Sequence, residues 1–160
     1  MISMQVYGLP TAIKGKVAYV PQSPFIIHGT VRENILFGLP FDQHWYEQCI
    51  RATCLDVDLR AFAGGDATEL GDNGVNLSGG QRQCLSIARA LYSRADVFIL
   101  DDPLSALDSK VGRRVFEHAV RRALKKTGKT VVLATNQLYF VQAADKVGQM
   151  RHCALRRWLE

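Results

Sequence analysis

Two short stretches of this chain hold the residue types that phosphate chemistry uses, Ser78-Gly79-Gly80-Gln81 and Asp101-Asp102. Ser78 followed by Gln81 three positions on, just ahead of an apolar-periodic run, spells a helix start with a reciprocal cap. The two glycines remove side-chain bulk, so backbone N–H groups could approach an anion at the positive end of the helix. Adjacent carboxylates at Asp101 and Asp102 raise each other's pKa unless a cation intervenes, which makes them a candidate cation site. Read alone, the first stretch is equally an ordinary helix cap, and the second an ordinary strand end turning through Pro103. Gln22, directly after the β-prone run Val17 to Val20 and Pro21, is a third candidate, because ligands of open α/β sheets gather at the carboxyl ends of strands.

The elements that must position these residues are legible in the pattern. Thr30 and Glu33 form a second capping box, predicting a short helix over Val31 to Phe37 closed by Gly38. Asp42 can cap a helix with Trp45, Tyr46, Cys49, Ile50 and Thr53 on its inner face. Leu55 to Phe62 reads as a weaker helix stopped by Gly64-Gly65, and Gly71 to Asn76 as a loop. After Ser78 the inner stripe is Cys84, Ile87, Ala88, Leu91 and Ala95, with Arg82 and Arg89 off it. Val97 to Leu100 and Thr130 to Ala134 are apolar runs that suit buried parallel strands. Between them, Val111, Val115, Ala119, Val120 and Ala123 face inward from a long helix whose Arg113, Arg114, Arg121 and Arg122 face out.

Composition sets the limits. The chain has 160 residues, 48% hydrophobic and 22% charged, which is a globular balance. No run reaches the ~18 apolar residues of a membrane span, and Met1 to Pro10 lacks the form of a signal peptide, so a soluble cytosolic chain is expected. Cys49, Cys54, Cys84 and Cys153 show no paired spacing, which argues for free thiols rather than zinc or haem. The net charge of +5 is uneven: residues 1–109 carry eight Lys and Arg against twelve Asp and Glu, net −4, and residues 110–160 carry twelve against three, net +9. A solvated helix face accounts for that better than a nucleic-acid surface.

Taken together, Ala18 to Phe25, Gly29 to Gly38, Asn76 to Gln83, Val97 to Asp102 and Ser105 to Asp108 closely resemble the nucleotide-binding domains of ABC transporters. The form Asp101-Asp102-Pro103-Leu104-Ser105-Ala106-Leu107-Asp108 is most similar to the first such domain of the C subfamily, the multidrug-resistance-associated exporters. The resemblance implies an α/β fold, an incomplete P-loop-NTPase-like parallel sheet with helices on both faces plus a small helical subdomain at about residues 23–92. It covers residues 16–145, leaving 1–15 as a non-homologous segment and 146–160 as a divergent tail without the family's final strand and hairpin pattern. It implies ATP and Mg2+ as cofactors. Ser78, Gly79, Gly80, Gln81 and Asp108 would contact nucleotide, Asp101 and Gln22 the magnesium, and Asp102 and Asn136 would stand at the catalytic positions.

Three departures matter. No G-x-x-x-x-G-K-[ST] phosphate loop occurs: Gly15-Lys16 is the nearest candidate, with Pro10 and Val17 at two of its required positions. Asp102 replaces the usual general-base glutamate, and Asn136 replaces the usual histidine, which it cannot match as a titratable group. The expectation is therefore a domain fragment, inactive alone, that lends its Ser-Gly-Gly turn to the ATP held by a second nucleotide-binding domain in a head-to-tail dimer. It would sit beneath the transmembrane domains of an exporter, on the cytoplasmic face. A strand that has lost its neighbour would leave Thr130 to Ala134 as an exposed edge. A truncated regulatory partner of ABC subunits is the alternative, and a soluble ABC-type ATPase acting on nucleic acid a weaker one.

Overall fold

The computed structural model describes residues 2–6, 9–71, 76–151 and 154–159. Its centre is a three-stranded sheet, in the order β3 (Val17–Val20), β6 (Val97–Asp101), β7 (Thr130–Ala134). Both pairings are parallel, with Tyr19 opposite Ile99 and Asp101 opposite Ala134. Parallel order puts every strand's carboxyl end on one edge, where Gln22, Asp101 and Asn136 follow. Two hairpins stand apart from this sheet, β1 (Ile2–Val6) with β2 (Leu9–Ile13) and β8 (Val147–Arg151) with β9 (Ala154–Leu159). The second falls in the tail that the sequence pattern leaves unassigned, and its backbone pairs across a register shift at Gln149/Met150.

Between β3 and β6 lies the helical part. Strand β4 (Gly29–Thr30) leads into α1 (Val31–Leu36), followed by α2 (Gln43–Ala52), α3 (Leu55–Ala61), β5 (Glu69–Leu70) and α4 (Gly79–Tyr92). The Thr30–Glu33 capping box forms as expected. Helix α1 ends one residue early, because Phe37 itself takes the left-handed cap at φ 45° and Gly38 follows it. Asp42 caps α2 through the Trp45 N–H at 3.0 Å, and Tyr46, Cys49, Ile50 and Thr53 are buried as the stripe required. Cys49, Cys54 and Cys84 are buried free thiols, and burial pushes Cys49 and Cys84 up to about 12, so neither is a nucleophile at neutral pH. Cys153 lies outside the described residues.

Helix α4 is enclosed nearly all round, from Gln83 to Tyr92. That corrects the placement of Arg89 off the inner stripe. It is only 9% exposed, lying with its guanidinium over the rings of Phe25 and Phe37 at 4.3 and 4.9 Å. Its Nε and Nη2 donate to Asn34 O and Oδ1 at 2.7 and 2.9 Å, and Nη1 to Phe25 O at 3.1 Å. Burial pushes its pKa down to about 10, still charged at neutral pH. Carbonyl acceptors and ring faces replace the water that a buried cation gives up.

After β6, α5 (Ser109–Val115) runs on as a π-helix over Phe116–Leu124, with Arg113, Arg114, Arg121 and Arg122 exposed as expected. Strand β7 differs from a buried strand: its residues alternate exposed and half-buried, and among the described residues nothing pairs with its far side. No helix among the described residues is long and apolar enough to cross a membrane.

The amino edge of the sheet is closed by Asp96. Its carboxylate accepts from Lys16 N at 2.9 Å and Lys129 Nζ at 3.2 Å, tying β3 and β7 together through the residue before β6. Gly15, at φ 100°, passes so close that an added Cβ would meet the Asp96 Cβ and Cγ at 2.9 Å. Gly15-Lys16 is thereby a strand-start device at the edge opposite Asp101, and not a phosphate loop.

Two predictions follow from the sheet. The bare edge should make the chain self-associate, and Val132, 54% exposed there, should on change to Lys shift it toward monomer in sedimentation at equal thermal stability; a wild-type chain that stays monomeric, or association unchanged by Val132→Lys, would refute this. The Lys16 N–H, then Lys129, hold the Asp96 carboxyl below the ordinary carboxylate range, so the folded chain binds fewer protons there than the unfolded one. The resulting stability is present above about pH 4 and is lost as pH falls through the depressed value. Asp96→Asn should be less stable at neutral pH, with the gap to wild type closing below about pH 4 in urea titrations; a gap independent of pH would refute this.

Candidate functional site

The first turn of α4 is where the buried helix reaches the surface. Ser78 and Gly79 are exposed, Gly80 and Gln81 half-exposed. Both halves of the capping box are made: Gln81 N donates to Ser78 Oγ at 3.2 Å, and Ser78 N to Gln81 Oε1 at 2.9 Å. The turn is then braced by two neighbours. Gln81 Nε2 donates to Asp58 Oδ1 of α3 at 2.8 Å. An added Cβ on Gly80 would meet Ala106 O at 3.3 Å and Leu107 Cδ2 at 3.4 Å, whereas one on Gly79 would meet nothing within 4 Å. The two glycines therefore do different work: Gly80 lets the Ser105-to-Asp108 loop close on the helix, and Gly79 keeps the outer side open. The loop of 72–75 lies outside the described residues.

The second group sits at the carboxyl edge of the sheet. Asp101 is exposed, and its Oδ2 accepts from Tyr19 Oη at 3.1 Å. That bond, more than any desolvation, raises the Tyr19 hydroxyl's pKa. Tyr19 was not among the sequence candidates, yet the register supplies it: Tyr19 opposes Ile99, and Asp101 is on the same face two residues on. Asp102 takes a left-handed backbone at φ 42°, its N–H donates to Ala134 O at 2.9 Å, and its Oδ1 is buried without a partner among the described residues. This bond holds Asp102 beside the end of β7, two residues before the exposed Asn136. Gln22 is exposed beyond β3.

Two links join the groups. Ser105 Oγ donates to Asp102 O at 2.8 Å, so the loop that closes on Gly80 starts from the carboxylate pair. The fully buried Gln83 donates from Nε2 to Pro21 O at 3.3 Å, anchoring α4 beside Gln22. Asp108, the remaining candidate, caps α5 by accepting from Lys110 N and Val111 N, each at 3.0 Å from its Oδ1. That single oxygen takes both bonds, and Asp108 remains exposed.

The residues fit a magnesium nucleotide in part. Among the described residues no cluster of three or more His, Cys, Asp and Glu could hold an ion unaided. Magnesium, however, is commonly held by one or two carboxylates with substrate phosphates and waters completing its shell. An exposed Asp101, the unpartnered Asp102 Oδ1 beside it and the Gln22 amide offer the hard oxygens that such a site needs.

A family model described as ABC transporter matches residues 8–105. ABC transporter C family member 9 of Arabidopsis thaliana is 47% identical over 140 residues, 88% of this chain and 9% of its own length. ABC transporter C family member 3 of Dictyostelium discoideum is 50% identical over 141 residues, 88% of this chain and 10% of its own length. ATP-binding cassette sub-family C member 3 of Homo sapiens is 49% identical over 133 residues, 83% of this chain and 9% of its own length. The chain thus spans 9 to 10% of the length of these three relatives.

The unequal surroundings of the glycines generate a paired expectation. Gly79→Ala should leave stability within about 0.5 kcal/mol of wild type, because its site is open and helical. Gly80→Ala should cost about 1 kcal/mol by crowding the loop, and Ser78→Ala about 1 kcal/mol by losing the cap. Urea unfolding of the three variants checks this; equal effects at Gly79 and Gly80 would contradict the packing described.

Proposed function

The chain belongs to the ABC transporter family, and from that membership we propose that it completes an ATP site whose phosphates are cradled by another nucleotide-binding domain. The observation that carries this is the open outer side of Gly79 at the surface end of a long, otherwise enclosed helix. A helix start with free N–H donors and a hydroxyl at its rim favours the negative charge of a γ-phosphate. Ser78, Gly79 and Gly80 would contact the phosphate, and Gln81 would hold the turn in shape through Ser78 and Asp58. Asp108 would lie between the two domains from its exposed position at the start of α5.

In this reading Asp101 and Gln22 hold magnesium, which neutralises phosphate charge when bound. Tyr19 sets the orientation of Asp101. Asp102, a methylene shorter than glutamate, must accept a proton from water across a longer gap, and Asn136 can orient by hydrogen bonding but cannot switch charge. Both departures point to slow hydrolysis at this chain's own half-site, so donation in trans is its stronger role.

A second surface supports a membrane-embedded partner. Phe25, Ile27, Phe37, Leu39 and Phe41 are all exposed around α1, and Ile27, Leu36, Phe37 and Leu39 line a groove of about 560 Å3. Single exposed apolar residues are ordinary, but a contiguous set implies a protein neighbour. Transmembrane domains of an exporter fit there, with the chain at the cytoplasmic face. A nucleic-acid reading finds less support, since Glu117 pairs with both Arg121 and Arg122 and breaks the basic face.

The test is association. Mixed with a complete second nucleotide-binding domain of a C-subfamily exporter, the chain should bind at least about tenfold tighter with Mg-ATP than without it, by sedimentation. Gly79→Asp, which sets a carboxylate against the phosphate, should abolish the ATP dependence. By calorimetry the isolated chain should bind ATP no tighter than about 1 mM. Micromolar ATP binding by the chain alone, or association indifferent to Gly79→Asp, would overturn the proposal.

A further inference from the structure

Another concave site lies away from the candidate nucleotide-facing residues. Helix α2 and the arginine-bearing helix enclose an open cleft of about 570 Å3. Its apolar wall includes Trp45 and Leu91, and its polar wall carries Arg51, Arg114, His118 and Arg122. Arg114, His118 and Arg122 recur at every fourth residue, which sets them along one ridge facing α2. Net positive lining over an apolar floor is an unusual pairing for a surface that only needs to stay soluble.

The charge in the cleft is incompletely balanced. Arg122 leans to Glu117 at 3.2 Å and Arg51 to Glu47 at 3.6 Å, both carboxylates outside the lining. Among the described residues, Arg114 and His118 have no carboxylate partner. The one acid in the lining, Asp56, is engaged by Arg60 at 2.8 Å. Trp45 is fixed in place, its Nε1 donating to Tyr92 O at 3.3 Å and its ring covered by Arg94 at 5.3 Å. The floor is therefore preformed, and cations face it from both sides, Arg51 on α2 and Arg114 and Arg122 on the opposite helix.

We propose that this cleft binds a small amphipathic organic anion: an aromatic body lying against Trp45, Ala52 and Ala123, with acidic groups reaching Arg114 and Arg122. The volume is in the range of small-molecule sites, about 300–1,000 Å3, and too confined for a folded partner. Guanidinium groups favour carboxylate, sulfonate or phosphate through paired donors. None of the lining residues belongs to the nucleotide-facing set, so the site is independent of the ATP reading.

The experiment uses the whole chain with naphthalene disulfonate as probe and uncharged naphthalene methanol as control, followed by calorimetry and tryptophan fluorescence. Saturable binding at about 100 µM or tighter is expected for the disulfonate, weakening with salt and at least tenfold poorer for the alcohol. Arg114→Glu and Arg122→Gln should each weaken binding at least fivefold. Arg113→Glu, the same charge change on a residue stacked over Tyr139 and outside the cleft, should alter it less than twofold. Trp45→Phe should remove the fluorescence change. All four positions are at least partly exposed, and a matching thermal midpoint confirms each variant's fold. No saturation, equal binding of the alcohol, or equal losses in Arg113→Glu and Arg114→Glu would overturn the proposal.

Discussion

Everything at the candidate site depends on α4 being enclosed along its length and bare at its first turn. A helix in water gains little from its own hydrogen bonds and holds its place by packing. Here the packing includes two polar residues with long reach. Gln83 fixes the helix to Pro21 and Arg89 fixes it to Asn34 and Phe25. A buried guanidinium is costly when unpaired, so the three bonds of Arg89 admit one placement of the helix and penalise the rest. The exposed Ser78-Gly79 turn thereby inherits a fixed position from contacts that lie well inside the molecule.

The sheet separates two kinds of chemistry by its direction. At its amino edge Asp96 is consumed by structure, with Lys16, Lys129 and the narrow approach of Gly15. At its carboxyl edge Asp101 keeps one oxygen for a tyrosine and Asp102 keeps one without a partner. The same residue type is structural on one edge and available on the other, because β6 delivers its last residues to a point where the chain turns away. Adjacent carboxylates there repel unless a cation intervenes, and Asp102 takes a left-handed backbone at φ 42°.

Much of this was legible in the sequence. Caps, apolar stripes and parallel-type runs located α1, α2, α4 and α5 and all three central strands, because each rests on local periodicity or on a cap within three residues. What escaped was what depends on distant partners. Arg89 sits one position from Ala88, and only Phe25, Asn34 and Phe37, brought in from another segment, turn it from a surface residue into a core one. Gln83 and Tyr19 were missed for the same reason, their partners being 62 and 82 residues away. The apolar run of β7 alone suits a buried strand, and its exposed edge is the expectation that came from the missing neighbour, not from the run itself.

Arg89 also has a mechanical consequence. Its guanidinium packs against two rings, Phe25 and Phe37, that meet edge to face and belong to the exposed apolar surface around α1, while its backbone is part of the helix that begins at Ser78. The same guanidinium reaches Asn34, whose side chain is itself fully satisfied by Ile27, Thr30 and Arg89. Close-packed interiors shift between discrete arrangements more readily than they deform smoothly. The exposed aromatic surface and the Ser78-Gly79 turn are thus joined by one continuous set of packed and bonded side chains.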